Sequence, residues 1–106
     1  MSDRLVQINF KFNGSKAEYL QAFGEVAKSI AAIPGLRWKV WPWNDGERVG
    51  GGIYLFAEAS SAQAFLEGPI AAALGQHPAV TDIRVKQFDV LEDLTAITRG
   101  PVGDLT

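Results

Sequence analysis

The chain is 106 residues long, 47% hydrophobic and 21% charged, with a net charge of −2. Those values fit one folded domain over residues 1–106, exclude a disordered chain and supply no basic field for nucleic acid. The absence of cysteine excludes disulfides, thiolate metal sites and a cysteine nucleophile, and it fits a cytoplasmic setting. The opening MSDRLVQINF has no long apolar run, so no signal peptide is expected. No stretch approaches the roughly 18 apolar residues of a membrane helix.

The first periodic segment is 5–12, where Val6, Ile8, Phe10 and Phe12 alternate with polar residues. Period two predicts a strand with one buried face. Asn13-Gly14 ends it, and Ser15 stands three residues before Glu18, the spacing of a capping box. Tyr19, Leu20, Phe23, Val26, Ala27, Ile30 and Ala31 then recur at helical spacing until Pro34-Gly35 stops the helix. A second strand is predicted over 36–43. Leu36, Trp38 and Val40 share one face; Arg37, Lys39, Trp41 and Trp43 share the other, and Pro42 limits the far end. Asn44 to Glu47 is a turn.

A third strand spans 49–58 and opens on Gly50-Gly51-Gly52, which lacks the lysine and hydroxyl of a phosphate loop and reads as a close approach or tight turn. Ile53, Leu55 and Ala57 lie on one face, Tyr54 and Phe56 on the other. A second helix, capped by Ser60 or Ser61, uses Ala62, Phe65, Leu66, Ile70, Ala73 and Leu74, with a break or kink at Gly68-Pro69. His77-Pro78 reads as an exposed loop. A fourth strand, 81–90, slips its alternation between Val85 and Phe88, which suggests a bulge. Asp93 caps a short turn over 94–99, and the tail 101–106 is expected to be flexible.

The order is β-α-β-β-α-β, so the expected fold class is α+β: a ferredoxin-like sandwich with an antiparallel four-stranded sheet. Two helices cover one sheet face. Because strands two and three are apolar on both sides, Trp41, Tyr54 and Phe56 are expected on the uncovered face, buried against a second copy of the chain.

The segments Leu36-Arg37-Trp38-Lys39-Val40-Trp41 and Gly51-Gly52-Ile53-Tyr54-Leu55-Phe56 resemble the YdhR family of mono-oxygenases. Gln7-Ile8-Asn9-Phe10, Phe88-Asp89-Val90 and Leu94-Thr95-Ala96-Ile97 match it too, so the resemblance covers about residues 4 to 100. It implies a homodimeric α/β barrel beside small cofactor-independent oxygenases. The family's second-helix histidine has no counterpart at Glu67-Gly68-Pro69, so no role transfers from it.

Lys39 and Tyr54 are the candidate catalytic residues, one to hold an anion or take a proton, the other to donate to reduced oxygen. Trp38, Trp41 and Phe56 offer aromatic walls for a planar substrate, and Asn9 offers an amide for a substrate oxygen. A single histidine gives no metal spacing, so neither metal nor cofactor is expected. Two functions are open: a cofactor-independent monooxygenase acting on a small aromatic or enolisable molecule, or a non-catalytic dimeric module for a small hydrophobic ligand or a partner protein. A haem-degrading activity is weaker, since His77 alone supplies imidazole. Partners are thus a second copy and a small molecule, with no nucleic acid and no membrane. If the pocket lies between two sheets, Lys39, Trp41 and Tyr54 line it; if it lies under the helices, Trp38 does. The polar set favours the former.

Overall fold

The computed structural model describes residues 3–102; the expectation for the tail falls largely on residues 103–106, outside the described residues. Strand β1 (Arg4–Phe12) is followed by helix α1 (Lys16–Ala31), strands β2 (Leu36–Val40) and β3 (Val49–Phe56), helices α2 (Ala59–Leu66) and α3 (Pro69–Gln76), strand β4 (Val80–Asp89) and the short helix α4 (Glu92–Ile97). The sheet is antiparallel, in the order β2-β3-β1-β4. The fold class is therefore as expected. No helix among the described residues is long and apolar enough to cross a membrane.

Local chemistry accounts for most boundaries. Ser15 and Glu18 form the reciprocal capping box of α1, satisfying two free backbone donors. Of the break or kink expected at Gly68-Pro69, the structure has the full break: proline takes the first position of α3, which needs no donor. Trp41 and Pro42 fall beyond β2, which ends at Val40. Neither Ser60 nor Ser61 caps α2; the cap is Glu58, without a side-chain bond. Asp93 lies inside the first turn of α4, where its charge suits the helix dipole, and Leu91 is the cap.

Valine 6, Ile8, Phe10 and Phe12 pack with Tyr54, Phe56 and Phe65 in the core beneath the helices. Cross-strand pairing carries that face across the sheet, since directly opposed residues share a face: Val6 opposes Tyr54, and Lys39 opposes Tyr54 from the other side. Lys39, Tyr54 and Phe56 thus face the helices. This corrects the expectation that Tyr54 and Phe56 lie on the uncovered face; they are 4% and 0% exposed in a single chain.

Lys39 joins Tyr54 on that face through a register shift in β2 between Leu36 and Trp38. The extra residue, Arg37, reverses the alternation. Leu36 packs with the helix-side core, whereas Trp38 opposes Leu55 and Val40 opposes Ile53 on the other face. The single face read for Leu36, Trp38 and Val40 is thereby split. Arg37 Nε reaches Asp3 Oδ1 at 3.1 Å, and Asp3 is 2% exposed, so the bulged residue is tied to a buried carboxylate.

The bulge in β4 also exists, but at Asp82, whose φ is 55°, and the register shifts between Asn9 and Lys11. From Val85 to Phe88 the pairing is continuous, so those two residues point to opposite faces. The uncovered face is partly roofed by the chain after β4. Trp38 Nε1 donates to the Pro101 carbonyl at 2.8 Å, and α4 with residues 100–102 closes over Leu5 and Trp38.

Candidate active site

A cavity of about 280 Å³ lies between the sheet and helices α1 and α3. Its wall is mostly apolar, with Phe10, Phe23, Ile30, Trp41, Phe65 and Ile70 among its members, and its polar groups are Lys39, Tyr54, Tyr19, Ser29 and His77. A small volume with few convergent polar groups is the usual character of a site for a small ligand.

Lys39 is the centre of its chemistry. Its Nζ stands 3.2 Å from the Trp41 ring centroid and 4.6 Å from that of Tyr54. No ion pair or hydrogen bond joins the amine to another described residue. Ring faces attract the ammonium form, but burial without a counter-charge costs more, and it lowers the Lys39 pKa from 10.5 to about 7. At neutral pH the amine therefore exists in both forms. It takes a proton when neutral and holds an oxyanion when charged.

Tyr54 is buried and lines the same cavity, and its hydroxyl bonds to no other described residue. Burial, and secondarily the neighbouring Tyr19, pushes its pKa up, so the phenol keeps its proton as a donor. Tyr19 accepts a hydrogen bond from the Gly51 N–H at 3.0 Å, and burial raises its pKa as well. His77 accepts from the Ala79 N–H at Nδ1, 3.1 Å away, which places the neutral ring's proton on Nε2. Its ring stacks on Phe23 with centroids 5.7 Å apart.

The glycine triplet makes this room. A Cβ on Gly52 would stand 2.5 Å from Lys39 Cε and 2.6 Å from Tyr54 Cε1; one on Gly50 would stand 2.6 Å from the Tyr19 ring. Gly51 has φ of 140° and presses against the Ile8 carbonyl, so no side chain fits there. The close-approach reading of the triplet is therefore the right one, and what approaches is the polar lining of the cavity.

The structure brings together three of the six candidate residues, Lys39, Tyr54 and Trp41, under the helices rather than between two sheets. Phe56 is fully buried behind them, its ring stacked on Tyr54 at 6.1 Å. Trp38 and Asn9 are on the opposite sheet face. Asn9 accepts from Gln7 Nε2 at 2.9 Å and donates to the Gly50 carbonyl at 3.5 Å. Sequence reading missed Tyr19 and His77 as lining residues. Tyr19 looked like one more apolar position of α1, and His77 like exposed loop, although it is half-buried. The available signal was the row of three glycines, which marks a strand surface that large side chains must approach. Among the described residues, no three histidine or carboxylate side chains cluster as a metal site would need.

The sequence matches the family model described as "Putative mono-oxygenase ydhR" over residues 5–101. No curated protein matches it. Among solved structures the chain is similar to NE2512, a protein of unknown function from Nitrosomonas europaea, with a TM-score of 0.71 and 21% identity over 86% of this chain and 91% of that one. It is similar to SnoaB, a cofactor-independent oxygenase from Streptomyces nogalater, with a TM-score of 0.67 and 19% identity over 85% of this chain and 94% of that one. It is also similar to a dimeric ferredoxin-like protein from Thermobifida fusca, with a TM-score of 0.65 and 20% identity over 85% and 93% of the two chains. At these identities the likeness is one of fold.

Proposed function

The chain belongs to the ydhR family of mono-oxygenases, and from that premise we propose that it oxidises a small aromatic or enolisable molecule with O₂ in the Lys39 cavity, without a cofactor. The observation that carries the reading is an unpaired amine poised between its two protonation states in an apolar cavity, beside a phenol that stays protonated. Fold-level kinship to a cofactor-independent oxygenase supports it.

An activated methylene between aromatic or carbonyl groups is the suitable substrate. Neutral Lys39 takes one of its protons, and the ammonium then stabilises the enolate. The carbanion passes one electron to O₂, and the radical pair joins to form the carbon–oxygen bond. The proton returns to the peroxide, with Tyr54 donating a hydrogen bond to it. Lys39 then removes the second carbon-bound proton as the O–O bond breaks. Methylene and O₂ become carbonyl and water, so no outside reductant is needed. Phe10, Phe23 and Trp41 exclude water from the carbanion.

The same reading has the chain act as a homodimer through the uncovered sheet face. Val40 and Phe88 are 53% and 45% exposed there, and Trp38 and Ile53 are half-buried, a patch that a monomer seldom leaves in water. A fold neighbour is dimeric.

Oxygen uptake with anthrone as the probe, in the presence of a chelator, tests the proposal. The expected result is one O₂ consumed per carbonyl formed. Tight binding of such molecules with no oxygen uptake would instead establish the non-catalytic ligand-binding module.

A further inference from the structure

We propose that the Lys39 amine captures small aromatic aldehydes and ketones as reversible imines, a carbonyl-binding activity that goes beyond oxygenation and does not rest on it.

Four observations carry this. The amine faces a cavity rather than bulk water. Its neighbours are the faces of Trp41 and Tyr54, and no carboxylate holds it as an ammonium. Burial keeps a large share of it neutral and therefore nucleophilic at neutral pH. The remaining wall is apolar and includes the rings of Phe10, Phe23 and Phe65, which suits an aryl carbonyl. The other lysines, Lys11, Lys16, Lys28 and Lys86, are exposed and line no part of the cavity.

The Nζ lone pair attacks the carbonyl carbon, and the oxygen takes a proton. Loss of water from the carbinolamine then forms the C=N bond. One water leaves and nothing is oxidised or reduced. The step needs a proton donor at the departing oxygen and an acceptor for the amine's protons. The Tyr54 hydroxyl, in the same cavity, serves as both: it donates to the departing oxygen and takes up an amine proton in return, so both amine protons leave in the water. Gly52 is what leaves the Lys39 stem free to reach, since any larger residue would occupy the space of its Cε.

The test uses the whole chain with benzaldehyde as the probe and cyanoborohydride to reduce any imine, at about pH 7. Peptide mapping by mass spectrometry then locates the benzyl groups. The expected result is benzylation of Lys39 roughly a hundredfold faster than of Lys16 or Lys28, because the cavity holds the aldehyde against an amine whose pKa burial has lowered. Labelling at Lys39 no faster than at the exposed lysines overturns the proposal. The wild-type map decides this without any variant; Lys39→Met should then lose the fast site and keep the slow ones. Oxygen uptake on anthrone without trapped benzaldehyde overturns the imine and leaves the oxygenase reading. Trapping without oxygen uptake does the reverse.

Discussion

Replacing Lys39 with methionine should stabilise the fold, and by an amount that depends on pH. Methionine keeps the length and the apolar stem but removes the charge. Burial lowers the lysine from 10.5 to about 7. At about 1.4 kcal/mol per pH unit this is a cost of about 5 kcal/mol to the folded state when the amine is protonated. Lys39 is half-buried rather than enclosed, and the lost ring contacts offset part of the gain. Together they bring the expected net to about 2 kcal/mol. The sign follows from proton counting. Between about pH 7 and 10.5 the unfolded lysine holds a proton that the folded one has released, so wild-type stability rises with pH across that window. Below about pH 7 the cost is fully present. Urea unfolding at pH 6, 8 and 10 is the assay. The variant's midpoint should lie about 1.5 M above wild type at pH 6, and the gap should close towards pH 10. A gap that stays constant with pH, or a variant less stable at pH 6, would refute the reasoning, because either result means that the amine is solvated or paired.

Tyr54→Phe should change stability by less than about 1 kcal/mol, because the hydroxyl has no partner to lose, yet lower turnover of anthrone about ten- to a hundredfold; steady-state oxygen uptake and a denaturation curve measure the two. Gly52→Ala should displace Lys39 and Tyr54 and cost about 1–3 kcal/mol, with turnover falling more than stability accounts for, read by the same two measurements. Val40→Asp places a charge on the uncovered sheet face and should shift sedimentation from dimer to monomer while leaving benzaldehyde trapping at Lys39 intact. Lys39→Met should reduce anthrone turnover about a hundredfold, and prior treatment with a chelator should leave the wild-type rate unchanged, both followed by oxygen electrode.

Local pattern along the chain sets the element order, the buried stripe of β1, the capping box of α1 and the break at Pro69. Each is a local matter: alternation, a side chain three residues away, a missing backbone donor. The sequence also contained the three lining residues Lys39, Trp41 and Tyr54, and the glycines that make space for them. What it left undecided was the side of the sheet they occupy. Period two says that neighbouring residues point opposite ways, but not which way faces the helices, and both faces of β2 and β3 are apolar enough to be core. The answer came from two long-range events. Pairing carried the buried face of β1 through Val6 to Tyr54 and on to Lys39. The bulge at Arg37, tied to Asp3 thirty-four residues away in sequence, separated Leu36 from Trp38 and Val40. His77 joined the cavity for the same kind of reason: the break at Pro69 and the packing of α3 bring a loop histidine against Phe23, a contact between segments far apart in the chain that no local pattern encodes.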